Sequence, residues 1–151
     1  MMAATFAFLH HLAAFTVVSA LAVQFVLLRD EVTLSSARKL QVVDTIYGLA
    51  AVMLLVVGLG RVFHFEKGAT YYFHTWTFIA KFSLFVLVGL ASIVPTLAFR
   101  KWRNSVRQGQ PPHVSAEHLR RLRSIVHLEL IGVVLIILCA ALMAKGIGLM
   151  L

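Results

Sequence analysis

Long uncharged apolar runs, separated by short polar stretches, set the pattern of the chain. Residues 5–28 contain no Asp, Glu, Lys or Arg, and residues 74–98 are interrupted by Lys81 alone. Two further runs are bracketed by charge. Asp44 and Arg61 enclose an uncharged stretch at 45–60, and Glu129 and Lys145 enclose another at 130–144. A helix needs about 20 mostly apolar residues to cross the hydrocarbon core. The pattern therefore predicts four transmembrane helices, at about 5–28, 43–62, 74–98 and 125–147, in one domain covering 1–151. The second and fourth reach full length only if their bracketing charges snorkel or face protein. Open strands would leave unsatisfied edges in lipid. A barrel would need alternating strands, which these runs lack. The expected fold class is all-α, an integral membrane four-helix bundle.

The polar connections differ in charge. The first carries Arg29, Arg38 and Lys39, and the third carries Arg100, Lys101, Arg103, Arg107, Arg120, Arg121 and Arg123. These two connections share one side of a four-span protein. The other side has Arg61, Lys67 and Lys145. The positive-inside rule makes the richer side cytoplasmic, so both termini are expected to be extracytoplasmic. Within the third connection, Gln108-Gly109-Gln110-Pro111-Pro112 reads as a turn. Ser115 followed by Glu117 reads as a helix start, which would begin the fourth helix in the cytosol. Pro95 lies inside the third span, where it can kink the helix. Asp44 is expected to cap the start of the second helix.

Composition agrees with a lipid solvent. The chain is 60% hydrophobic and 13% charged, against about 45–50% and 25% in soluble domains. Its formal net charge of +8 could suggest nucleic acid. The aromatics lie in the apolar spans and not among the basic residues, so no nucleic-acid binding is expected. The basic loops suit anionic lipids at the cytoplasmic face instead. Cys139 is the sole cysteine and reads as a small hydrophobe. Met1 to Phe8 lack Lys and Arg, so the first span is expected to be retained and not cleaved as a signal peptide.

Ionisable groups at membrane depth carry the candidate chemistry, because lipid penalises them unless they are paired or wet. The topology gives an outer set of His10, His11, Arg61, His64, His74 and Lys81, and an inner set of Asp44, His127 and Glu129. His10, Val17 and Gln24 share one face of the first helix, and His11 points about 100° away. His74, Lys81, Val88 and Pro95 share a face of the third, and Asp44, Gly48, Ala51 and Gly58 a face of the second. Lys81 either snorkels outward or contacts an acidic ligand, a haem propionate or a bound anion. His10, His74 and Arg61 would make this outer pocket cationic, with Glu66 the acidic residue of that half. His10 and His74 could each present an imidazole to haem iron. The rival reading is a hydrogen-bonded histidine at the interface. No Cys/His spacing of the usual zinc type occurs, and no nucleophile triad, Walker loop or Rossmann fingerprint. In the inner set, His127 and Glu129 lie roughly 200° apart and are not a pair. Arg29 or Arg38 could neutralise Asp44, and a proton path through the inner groups is the functional alternative.

Phe8-Leu9-His10-His11, Asp44, Phe78-Ile79-Ala80-Lys81-Phe82 and the run Gly89-Leu90-Ala91-Ser92-Ile93-Val94-Pro95-Thr96 carry a resemblance. They resemble a family of small four-helix bacterial membrane proteins of unknown function. The chain is more distantly similar to the HemJ-type protoporphyrinogen oxidases, which bind haem b. That likeness implies His10 as the haem-iron ligand and Lys81 as a functional lysine. The doubled histidine and the missing aromatic-Pro-Arg pattern depart from it. Two functions follow as expectations. One is a haem b-binding, redox-linked protein of the bacterial cell inner membrane, with His10, His74, Lys81 and Arg61 at the cofactor. The other is a non-enzymatic bundle: a transporter component, an assembly factor or a partner-binding subunit. Transport through four short spans would call for a homo-oligomer or a membrane partner.

Overall fold

The computed structural model describes residues 1–65 and 74–148. Helix α1 spans Met2–Leu27, α2 Leu34–Gly60, α3 Trp76–Lys101, α4 Arg103–Arg107 and α5 Ala116–Ala144. A π-helical turn, Arg61–Phe65, continues α2. Four of these helices are long and apolar enough to cross a membrane, and no strand occurs among the described residues. Glu66 and Lys67 lie outside the described residues, as does the side chain of His64.

Each helix boundary has a local cause. Thr33 and Ser36 form a reciprocal capping box at the start of α2. The Ser36 amide donates to Thr33 Oγ1 at 3.1 Å, and the Thr33 amide donates to Ser36 Oγ at 2.8 Å. Helix α2 therefore begins well before the apolar run, in residues the sequence pattern assigns to a polar connection. Asp44 is a correction. It does not cap α2, because it sits ten residues inside the helix that Leu34 opens. Ser115 does cap α5, accepting from the His118 amide at 3.2 Å, and Glu117 sits in that first turn. Gly109, at φ 73°, turns the chain between α4 and α5 as its sequence context predicts. Helix α3 runs on through Pro95.

The helices pack as two antiparallel hairpins, α1 with α2 and α3 with α5. Smaller contacts join α1 to α5 and α2 to α3, while α1–α3 and α2–α5 are diagonal, their backbones standing apart among the described residues. The result is an up-down-up-down bundle. One end holds the chain termini and is here the terminal half. The other holds the 28–33 turn and α4, and is here the loop half. The main core lies in the loop half and at mid-depth, where Leu21, Leu28, Leu40, Phe99, Leu122 and Val126 are fully buried. Phe99 and Trp102 pack ring against ring at 5.3 Å. Large apolar side chains such as Phe15, Leu49, Leu87 and Val134 point outward, a cost in water that disappears in hydrocarbon.

Candidate functional site

In the terminal half the two hairpins stand apart. Between them lies a cavity of about 450 Å³, within the range of small-molecule sites. All four long helices line it. Helix α1 contributes His10, His11 and Ala14, α2 contributes Leu54, Leu55, Gly58 and Leu59, and the π turn adds Arg61 and Val62. Helix α3 presents Phe78, Lys81, Phe82 and Phe85, and α5 presents Ile136, Ile137, Ala140, Ala141 and Met143. A second, almost wholly apolar cavity of about 290 Å³ adjoins it and reaches Tyr47, Val88, Gly89 and Val133 at mid-depth. His11, Ala14, Leu54, Phe85, Ile136 and Ile137 line both.

Local sequence builds the polar end. Gly58 leaves room for the His10 ring, which would come within 3.3 Å of a Cβ placed there. Gly60 does the same for Phe6, at 3.1 Å. His10 Nδ1 is buried with no hydrogen-bond partner among the described residues. The neighbouring His11 is fixed differently, its Nδ1 donating to the Ala7 carbonyl at 2.6 Å. That bond leaves His11 Nε2 as the lone-pair nitrogen. Lys81 and Arg61 both lie close enough to act electrostatically on His10. Lys81 is five residues into α3, about one and a half turns. The mouth is held from below by the chain end: the Trp76 amide donates to the Gly148 carbonyl at 2.9 Å and Thr77 Oγ1 donates to the Ile147 carbonyl at 3.1 Å. These bonds satisfy donors that the first turn of α3 would otherwise leave open.

The structure thus brings three of the expected site residues, His10, Lys81 and Arg61, onto one cavity. It puts the fourth, His74, at the exposed turn before α3, outside the residues that line it. His11 joins the site, although its direction on the helix set it apart from His10. A cavity between separated hairpins collects two adjacent helix faces, so neighbours in sequence can share it. Among the described residues, no group of three or more His, Cys, Asp and Glu side chains converges as a metal cluster would. Haem iron asks for less, one or two axial imidazoles. Unpartnered His10 Nδ1, the free lone pair of His11, a cationic rim and apolar walls form a donor set that fits such a group.

The loop half carries a separate polar cluster. Asp44 Oδ1 accepts from Thr96 Oγ1 at 2.9 Å and from Gln24 Nε2 at 3.4 Å, tying α1, α2 and α3 together. Gln41 Nε2 donates to the Phe99 carbonyl at 3.1 Å, near the end of α3 where carbonyls lose their helical partners. Glu129 is 1% exposed, whereas His127 is exposed and packs on Phe25 with ring centroids 5.4 Å apart. The two are not a pair, as their spacing predicts. The burial of Glu129 was readable from Leu122, Val126, Glu129 and Val133, which share one stripe of α5.

Fold and site together define a polytopic all-α membrane protein with an internal cavity. The chain belongs to the family described as Predicted membrane protein (DUF2214), whose model matches residues 2–148. No curated protein and no solved structure matches it.

Proposed function

We propose that this protein binds haem b in the terminal-half cavity and is redox-linked. The observation that carries the reading is the combination on one cavity: two imidazoles, two cations and apolar walls drawn from all four helices. Haem b is a flat apolar macrocycle with two carboxylates, and each part has a counterpart there. Phe78, Phe82, Phe85, Leu54 and Ile136 would enclose the ring. Lys81 and Arg61, which keep other contacts in the protein, would hold the propionates. His10 or His11 would supply the axial nitrogen. When bound, haem would supply one-electron chemistry; the protein would position it and keep water from it. The HemJ-type resemblance carried by His10 and Lys81 in the sequence would point the same way.

The same reading puts the protein in the bacterial inner membrane. The Arg-rich loop half faces the cytoplasm and anionic lipids, and both termini face outward. A reporter active only in the cytoplasm, fused after Leu151, should be inactive; an active fusion would reverse the orientation. For haem, the test is a reduced-minus-oxidised visible spectrum of protein purified from cells supplied with haem precursor. A haem b band is expected, altered or lost in His10→Ala or His11→Ala. Absence of the band would overturn the reading. Function would then pass to the non-enzymatic alternative, a transporter component, assembly factor or partner-binding subunit acting as a homo-oligomer or with a membrane partner.

A further inference from the structure

Glu129 is the second chemical feature of the bundle, and haem binding gives it no task. Its side chain is 1% exposed, and neither carboxyl oxygen has a hydrogen-bond partner among the described residues. An ionised carboxylate left so would cost several kcal/mol. The groups that act on it are few. From α2 these are Tyr47, whose hydroxyl lies beside it near hydrogen-bonding reach, and Asp44. Ser92 of α3 neighbours Tyr47, and Arg100 of α3 acts on Asp44. Helix α1 offers uncharged Gln24, and His127 on α5 turns away to Phe25.

Placement gives the cluster a direction. Asp44 is half-buried and faces the loop half. Tyr47 lies one turn deeper on α2, beside Glu129, and lines the floor of the apolar cavity. Asp44, Glu129 and Tyr47 therefore stand in series between the loop-half surface and the cavity. We infer that Glu129 and Tyr47 form a proton-exchange site at the cavity floor, supplied through Asp44. In the forward step the O–H bond of protonated Glu129 breaks as its proton passes to the Tyr47 oxygen. The original Tyr47 proton moves to water or to a basic oxygen or nitrogen of whatever occupies the cavity. A proton from solvent on the loop-half side, carried by water past Asp44, then returns to the Glu129 carboxylate, so one cycle moves one proton from that solvent to the acceptor at the cavity. The step needs no particular occupant and stands apart from the haem reading.

Infrared spectroscopy of the purified, ligand-free protein tests this. A carbonyl stretch of a protonated carboxylic acid should appear and disappear across a pH titration. It should be lost in Glu129→Gln and displaced in Tyr47→Phe. Its shift on transfer to heavy water should be severalfold slower in Asp44→Leu. If Glu129→Gln does not fold, Glu129→Asp should still displace the band. A band that is absent at every pH, unchanged by the Glu129 variants, or exchanging as fast in Asp44→Leu as in the parent would overturn the inference.

Discussion

The two halves of the bundle are built from the same four helices and solve opposite problems. In the loop half, Leu21, Leu40, Phe99, Leu122 and Val126 fill the space between the hairpins, and Asp44 binds α1 to α3 through Gln24 and Thr96. In the terminal half the buried cluster is small among the described residues, with Val62 and Phe78 packed against Met143, and the hairpins part around a cavity. Lipid tails are as apolar as leucine, so closing that gap would gain little from hydrophobicity alone. A bundle in a membrane can hold one end open at small cost when the other end is well packed. Labour is divided between the halves: the loop half holds the fold, and the terminal half is free to hold a ligand.

Substitutions should respect that division. The largest effect is expected on binding. Replacing both Lys81 and Arg61 by Ala should weaken haem b binding by about 2–3 kcal/mol, roughly 30- to 150-fold. A spectroscopic titration reads this, and the change in thermal unfolding in detergent should be smaller than the change in affinity. Loss of stability without loss of affinity would merge the two halves. Next comes Gly132→Ala, at the boundary. Its Cβ would come within 2.5 Å of Val88 Cγ2 and wedge α3 from α5. A loss of about 1–3 kcal/mol is expected in unfolding measurements. Ser115→Ala removes the cap of α5 in the loop half and should cost about 1 kcal/mol of stability while leaving haem affinity intact. The smallest effect is the coupling between Asp44 and Thr96. A double-mutant cycle with Asp44→Ala and Thr96→Ala should return about 0.6 kcal/mol, the usual value for a hydrogen bond between membrane helices.

Some of this contrast was legible in the sequence. The four spans were, because hydrocarbon imposes a length and a polarity on any helix crossing it. Lys81 and Arg61 stood out as cavity residues because a charge at such depth needs a reason. The start of α2 was not legible from hydropathy: its first ten residues mix Ser35, Ser36, Arg38, Lys39 and Gln41 with apolar positions, and the Thr33–Ser36 capping box is the signal there, not Asp44. Pairing of α1 with α2 and α3 with α5 was hidden for a different reason. Lipid-facing Leu49 and Leu87 are as apolar as buried Leu21 and Val88, so no amphipathic stripe marks the interface. His11 shows the limit of helical-wheel reasoning, which assigns a residue to one partner although a cavity spans two.

If the gap between the hairpins is a ligand site, filling it should abolish binding. Ala140 lines the cavity from α5, and Ala140→Phe would occupy it while leaving His10, His11, Lys81 and Arg61 in the sequence. Titration of the purified protein with haem b should show saturable binding in the parent and little or none in this variant, with the two unfolding at similar temperatures. Equal binding by both, or no binding by the parent, would contradict the account.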